Sequence, residues 1–176
     1  MKIGLESGTL AHRGLEADAV LALAQERRLD GVQFPEPTAI DAALDERRLA
    51  AFRAEADKRG LYVELGVMSP NPLLRARREE RDVSVAEHAR DLYHQLEAAA
   101  AIGCTFVVTY IGGRRDRYRP DVPWSEQMGA ARAVLVQLAP AARELGLRIA
   151  LTNHADLSAD ELLAFATSAI REAANG

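Results

Sequence analysis

Apolar residues along the chain follow two alternating patterns. Short, nearly continuous apolar runs are typical of buried strands, and longer segments with apolar residues three or four positions apart are typical of helices. The runs predict five strands, at Lys2–Glu6, Leu29–Phe34, Leu61–Val67, Cys104–Ile111 and Leu147–Leu151. The longer segments predict five helices between and after them, at Leu15–Arg28, Ala39–Lys58, Val85–Ile102, Trp124–Leu145 and from Ser158 to about Ala173.

A glycine separates a predicted helix from the following strand three times, at Gly60, Gly103 and Gly146. Glycine is common directly after a helix because it adopts the left-handed conformation that ends one. The repeated order of helix, glycine and apolar strand indicates consecutive βα units. Strands that are apolar on both faces are typical of a parallel sheet covered by helices, so the predicted fold class is α/β.

Two architectures fit five βα units. One is a flavodoxin-like open sheet with the strand order 2-1-3-4-5, and the other is part of a (β/α)8 barrel with strands in sequential order. A barrel of about five strands leaves two edges with unpaired backbone groups, so physical reasoning alone favours the open sheet. Strand order separates the two architectures.

The stretch from Gly146 to Leu163 contains the clearest junction between a strand and a helix. Ser158 and Glu161 form the capping-box pattern that begins a helix. Thr152, Asn153 and His154 follow the last predicted strand directly. Since active sites of α/β proteins lie at the carboxyl ends of the strands, this stretch is where we expect chemistry.

Composition restricts the class of partner. The chain has 176 residues and a net charge of −4, which disfavours nucleic acid because such binding requires a basic face. It has no apolar run long enough for a membrane span, and its first residues lack the architecture of a signal peptide. Its single cysteine, Cys104, cannot form an internal disulfide, so we expect a cytoplasmic protein of one domain.

Polar side chains recur at or near strand ends. They are predicted to gather at one end of the sheet, and they are Glu6, Gln33, Glu64, Tyr110 and His154. Glu64 lies within a buried strand and is a candidate general base or substrate ligand, although an arginine could equally pair with it. His154 has the position of a ligand or acid/base catalyst, and the alternative is a loop histidine that binds backbone.

Further candidates lie in the loops that follow the strands. Arg114 and Arg115, with Arg117 and Arg119, suit a phosphate or carboxylate, and the alternative is a solvated loop neutralised by acidic neighbours. His12 follows the first strand and could face the same pocket, as could Asn153 beside His154. We expect seven residues to contribute to binding a substrate: Glu6, His12, Gln33, Tyr110, Arg114, Arg115 and Asn153.

Three segments resemble the xylose-isomerase-like barrels, a superfamily of sugar-phosphate isomerases and epimerases with an apurinic endonuclease branch. They are Leu29–Gln33, Ala98–Thr105 and Ile149–Leu163. The resemblance implies one partial TIM barrel domain over residues 1–176, incomplete at the C-terminus. It also implies isomerisation or epimerisation of a small carbohydrate, with Glu64 and His154 as catalytic candidates and a divalent metal, Mn²⁺, Mg²⁺, Zn²⁺ or Co²⁺.

One departure from the superfamily concerns this metal. Thr152 stands where the superfamily has a metal-binding glutamate, and a neutral hydroxyl is a poor ligand for these ions. The other usual ligands come from strands six to eight, so we assign no metal ligand in this chain. The alternative to an isomerase or epimerase is therefore a non-catalytic partial barrel. Such a protein would self-associate as a homo-oligomer to cover its open strand edges, or bind a small ligand.

Overall fold

A computed structural model describes residues 1–175 of the chain. The strands are β1 (Gly4–Glu6), β2 (Gly31–Phe34), β3 (Tyr62–Gly66), β4 (Phe106–Thr109) and β5 (Arg148–Leu151). The helices are α1 (Ala17–Glu26), α2 (Glu46–Lys58), α3 (Pro72–Glu79), α4 (Val85–Ile102), α5 (Arg114–Arg117), α6 (Trp124–Glu144) and α7 (Ala159–Asn175). Two 3-10 helices, Ser7–Arg13 and Pro37–Ala39, follow β1 and β2.

The five strands form one parallel sheet in the order β1-β2-β3-β4-β5. Each strand therefore lies beside the next one in the chain, as in a TIM barrel. In a flavodoxin-like sheet β1 lies between later strands. In the sheet of the described residues β1 lies at one edge, so the order is not flavodoxin-like. The α/β class and the partial TIM barrel are confirmed.

The chain divides into two compact units, which are described separately. The first unit consists of Met1–Val67, His94–Val107 and Leu145–Arg148. The second consists of Met68–Tyr93, Val108–Glu144 and the chain from Ile149 onward.

In the first unit, alternation along β2 and β3 separates a buried apolar face from a polar one. Val32, Phe34, Val63 and Leu65 are all at least nine-tenths buried, and Phe34 packs edge-to-face against Phe52 of α2 with ring centroids 5.6 Å apart. Successive side chains of a strand point to opposite faces, so Gln33, Tyr62 and Glu64 lie on the other face, where they are half-buried.

The core of the second unit forms between α6 and α7. Its buried members come from both helices and from the loops after β4 and β5, and they are Ile111, Ala131, Leu135, Leu157 and Phe165. Ile149 and Leu151 of β5 pack against this cluster and remain partly exposed. The apolar positions of α6 and α7 are spaced as a helix requires to cover one side of a sheet.

Two helices begin at places that the hydrophobic pattern does not reveal. α3 lies between β3 and the predicted helix Val85–Ile102, where the apolar pattern predicts no helix. It forms because the Asn71 side chain accepts a hydrogen bond from the Leu73 N–H and Pro72 fits the first helical turn. α2 begins at Glu46 rather than Ala39, since Asp45 caps the N–H of Arg48.

The longest helices are α6, with 21 residues, and α4, with 18 residues. Both bury one side, as shown by Leu92 and Leu96 of α4 and by Val134 and Leu138 of α6. Their other sides carry charged residues. Within residues 1–175, no helix combines the length and the apolar character needed to cross a membrane.

Candidate functional site

Three polar residues form a row across the first three strands. The parallel register pairs Glu6 of β1 with Gln33 of β2, and Gln33 with Glu64 of β3. All three are half-buried and lie on the face opposite the apolar core. The positions of these residues in the sequence predict that they lie at one end of the sheet, and the register places them side by side.

Glu6 has a structural role in this row. Its two carboxylate oxygens accept hydrogen bonds from the backbone N–H groups of Gly8 at 2.8 Å and Thr9 at 3.0 Å. Both donors belong to the first turn of the 3-10 helix that follows β1, whose N–H groups have no partner inside the helix. Glu6 therefore acts as a helix cap, and its capacity to bind a further group is reduced.

Unlike the Glu6 carboxylate, the side chains of Gln33 and Glu64 bind no backbone group within residues 1–175. In the described part of the chain, neither the Gln33 amide nor the Glu64 carboxylate takes part in a hydrogen bond or an ion pair. Glu64 lies close to Tyr62, whose pKa is raised by burial, then by the negative charges of Glu64 and Asp30. These two side chains are available to a polar ligand.

In the second unit, Tyr110 and His154 form a stacked pair. Their ring centroids lie 4.7 Å apart and their planes are inclined by 16°. Both residues are exposed and follow neighbouring strands, Tyr110 after β4 and His154 after β5. The stack fixes the orientation of the imidazole without burying it.

The loop that carries His154 is held by Asn153 and Asp156. The Asn153 side-chain oxygen accepts hydrogen bonds from the N–H groups of Asp156 at 3.2 Å and Leu157 at 3.4 Å. The Asp156 carboxylate is fully buried and accepts from the backbone N–H of His154 at 2.9 Å and of Gly112 at 3.1 Å. The Asn153 side chain thus shapes the loop after β5, and Asp156 joins this loop to the one after β4, a role that its neighbours in the sequence do not indicate.

The arginines after β4 divide into two groups. Arg117 donates two hydrogen bonds to the Glu161 carboxylate, at 2.8 and 2.9 Å, and these bonds lower the pKa of Glu161 to about 2. Arg119 pairs with Asp121. Arg114 and Arg115 are exposed, and no ion pair or hydrogen bond engages their guanidinium groups within residues 1–175. They remain available to an anionic group.

His12 lies in the 3-10 helix after β1 and is exposed. Its side chain has no hydrogen bond within the described range. It belongs to the same unit as the row of Glu6, Gln33 and Glu64. The role of His12 in binding a substrate therefore stays a prediction.

A buried polar cluster supports the loops of the second unit. Ser69 donates to the Ile111 carbonyl at 2.9 Å, Asn71 donates to the Gln127 side chain at 3.1 Å, and the Gln127 amide donates to the Asp116 carbonyl at 2.8 Å. His88 Nε2 lies 2.7 Å from the Ser69 carbonyl, so this nitrogen carries the proton. Burial lowers the pKa of His88, which keeps the ring neutral.

The residues present do not fit a divalent metal. The Thr152 hydroxyl donates to the Thr109 carbonyl at 3.1 Å, so it is engaged by the sheet. Among residues 1–175, three or more histidine, cysteine or acidic side chains nowhere gather as a metal site requires. We therefore derive no chemical step through a metal.

Solved structures with the same fold include three sugar-related proteins. A xylose isomerase domain protein from Planctomyces limnophilus is 23% identical with a TM-score of 0.61, over 96% of this chain and 59% of the other. A D-psicose 3-epimerase, solved in the presence of D-fructose, is 17% identical with a TM-score of 0.67, over 96% and 60%. A D-tagatose 3-epimerase-like protein is 17% identical with a TM-score of 0.54, over 86% and 52%.

At these identities, the similarity establishes the fold. The chain spans between about half and six tenths of the length of these structures. Among curated proteins, none matches the chain. The family model described as xylose isomerase-like TIM barrel matches residues 21–169, which include β2 to β5 and most of α7. The chain therefore belongs to the xylose isomerase-like TIM barrel family.

Proposed function

We propose that this chain is a sugar isomerase/epimerase-like protein that binds a small sugar or sugar derivative on the polar face of β2 and β3. The observation that carries the proposal is the in-register pair of Gln33 and Glu64, neither of which has a partner among residues 1–175. An amide donates and accepts hydrogen bonds, and a carboxylate accepts them. Side by side, they suit two neighbouring hydroxyl groups.

Glu64 would supply the chemistry. A carboxylate can take the proton from a carbon next to a carbonyl: the C–H bond breaks, an O–H bond forms on Glu64, and the electron pair moves towards the carbonyl oxygen. Isomerisation follows when Glu64 returns the proton to the neighbouring carbon while the hydroxyl proton moves to the former carbonyl oxygen. Epimerisation follows when water, on the opposite face, protonates the same carbon and Glu64 later releases its proton to solvent. Both outcomes need the Glu64 carboxylate beside the bound sugar, and its position next to Gln33 supports this assignment.

The similar structures support a ketose as the first ligand to test. One of them is a D-psicose 3-epimerase solved in the presence of D-fructose, and a second is a D-tagatose 3-epimerase-like protein. The shared fold makes these sugars reasonable probes for this chain. D-fructose is therefore the probe of choice, with D-psicose and D-tagatose beside it.

Residues of the second unit are separate candidates for proton transfer and for binding a phosphate. We propose His154, oriented by its stack on Tyr110, as a proton donor or hydrogen-bonding group. The exposed Arg114 and Arg115 are proposed as anchors for the phosphate of a sugar phosphate. His12, Glu6 and Asn153 complete the proposed binding residues, although the last two already bind backbone groups.

Exchange of sugar protons with solvent deuterium tests the proposal. The chain is incubated with each ketose in D2O, with and without Mn²⁺, Mg²⁺ or Co²⁺, and carbon-bound deuterium is measured by NMR. We expect binding of at least one ketose and exchange that Glu64→Gln abolishes. The control is Glu144→Gln, an exposed glutamate at the end of α6. Absence of both binding and exchange across the sugar panel contradicts the proposal.

The second candidate function is a non-catalytic binding protein that self-associates. Thr152 favours it, because the hydroxyl at this position binds the Thr109 carbonyl instead of a metal. Sugar binding without exchange, together with a dimeric solution mass, supports this candidate. A monomer that binds Mn²⁺ tightly by calorimetry contradicts it.

A further inference from the structure

The last turn of α3 lies beside α5 in the second unit. The Arg77 guanidinium comes within 4.0 Å of the Asp116 carboxylate, and 61% of the Arg77 side chain remains exposed. α3 belongs to the connection from β3 to α4, and α5 belongs to the connection from β4 to α6. Both connections leave the carboxyl ends of their strands, which is the end where α/β barrels bind their ligands.

Most charges of this region cancel one another. Two of the arginines after β4 are held in ion pairs, Arg117 with Glu161 and Arg119 with Asp121. At the end of α3, Arg78 and Glu80 are both exposed and carry opposite charges. These six side chains therefore add no net charge with which to bind an anion.

Three arginines and one carboxylate remain. Arg114 and Arg115 are exposed, and their guanidinium groups have no ion pair or hydrogen bond in the described part of the chain. Arg77 shares Asp116 with the backbone N–H of Gly113, which donates to this carboxylate at 3.0 Å. Three positive charges and one negative charge give this cluster a net charge of +2 on a chain whose own net charge is −4.

We propose that Arg77, Arg114 and Arg115 form a site for the dianion of a phosphate monoester. A phosphate group carries a charge of about −1.5 to −2 at pH 7, which matches that of the cluster. Its oxygen atoms accept the hydrogen bonds that guanidinium groups donate. The inference rests on the proposed function, which assigns Arg114 and Arg115 to a phosphate, and it adds Arg77 and the charge that the ligand must carry.

Side-chain NMR signals of the wild-type chain provide the first test. Inorganic phosphate and D-fructose 6-phosphate are each titrated at constant ionic strength while the arginine Nε–H signals are recorded. We expect saturable shifts for Arg77, Arg114 and Arg115 with both ligands. Arg143 is an exposed arginine near the end of α6 without an ion pair among residues 1–175, and its signal should not shift. D-fructose, which has no charge, should leave the three signals unchanged.

The results distinguish failure of the inference from failure of the proposed function. Shifts at Arg114 and Arg115 without one at Arg77 overturn the inference and leave the proposed phosphate anchors intact. Equal shifts at Arg143 overturn it as well, because they indicate only counter-ions at the surface. Acetate carries one charge, so an affinity equal to that of phosphate contradicts the site for a dianion. If none of the three signals shifts, the proposed anchors fail too, whereas the sugar proposal for β2 and β3 keeps its own test.

Variants that change the charge in opposite directions provide the second test. Arg77→Gln removes a positive charge and should weaken phosphate binding about threefold, as loss of one exposed ion pair predicts. Asp116→Asn removes a negative charge and should strengthen binding by a similar factor, while its amide oxygen can still accept the Gly113 N–H. Arg143→Gln is the matched control and should leave the affinity unchanged. Wild-type affinity in Arg77→Gln, or changes of the same sign in Arg77→Gln and Asp116→Asn, would overturn the inference.

Discussion

The buried carboxylate of Asp156 accepts a hydrogen bond from the backbone N–H of His154 at 2.9 Å. Its other oxygen accepts one from Gly112 at 3.1 Å, so one side chain connects the loop after β5 with the loop after β4. Tyr110, which precedes the second of these loops, stacks on His154. Asp156 therefore holds the backbone of the loop that carries His154, and Tyr110 provides the contact with the His154 ring.

Replacing Asp156 tests this role. Asp156→Ala leaves the buried N–H of Gly112 and the partly buried N–H of His154 without acceptors, and a buried group without a partner costs about 1–3 kcal/mol of unfolding free energy. We expect a loss of about 2–4 kcal/mol by urea unfolding, together with altered NMR shifts of the Tyr110 ring. Asp160→Asn, at an exposed aspartate of α7, is the control and should cost less than about 1 kcal/mol. Equal losses in both variants would contradict the account.

Two glycines should respond to alanine with opposite signs. A Cβ on Gly66 would overlap the Pro35 carbonyl, so Gly66→Ala forces β2 and β3 apart and should cost about 1–3 kcal/mol. Gly129 lies within α6 and has no atom near its Cβ position, so Gly129→Ala should raise the unfolding free energy by about 0.5–1 kcal/mol. Urea unfolding measures both changes, and the same sign for both would contradict the packing described.

Glu161 should contribute to stability in a defined pH range. Hydrogen bonds from Arg117 and from the Ser158 backbone lower its pKa from an ordinary 4.5 to about 2. A carboxyl group with a lowered pKa in the folded state stabilises it above pH 4.5, and this contribution is lost as the pH falls from 4.5 to 2. The difference between the urea midpoints of wild type and Glu161→Gln should shrink over this range. A difference that stays constant from pH 4.5 to pH 2 would contradict the role of the pair between Arg117 and Glu161.

Cys104 should react slowly while the chain is folded. Burial raises the pKa of its thiol to about 11 from an ordinary 9.0. Since the thiolate is the reactive form, labelling by a disulfide reagent at pH 8 should be about a hundredfold slower in the folded chain than in urea. Equal labelling rates in the two states would show that the thiol is accessible and that burial does not raise its pKa.

The pattern of apolar residues is sufficient to predict the five strands. It does not predict their order, because unpaired edges favour an open sheet and only the resemblance to the barrel superfamily implies sequential neighbours. Gly60, Gly103 and Gly146 all adopt positive φ, between 68° and 86°, as expected for glycines that end helices. The capping box also forms as predicted, with hydrogen bonds of 2.8 and 3.2 Å between Ser158 and Glu161. These features are local, so the residues that cause them lie close together in the sequence.

The roles of individual polar residues are harder to predict from the sequence. Nothing near Asp156 in the sequence shows that its carboxylate is buried, because one of its donors, Gly112, lies 44 residues away. Glu6 looks like a site residue, but the turn after β1 uses both of its oxygens. The position of the Tyr62 ring depends on glycines in two other strands, which only the register brings beside it.

The central claim is that a sugar binds along Gln33 and Glu64. The most direct measurement is the change in backbone amide NMR shifts when D-fructose is added to the 15N-labelled wild-type chain. The account predicts saturable shifts that concentrate on residues 31–34 and 62–66, and their loss in Glu64→Gln. No saturable shifts in these segments, or equal shifts in Glu64→Gln, would contradict it.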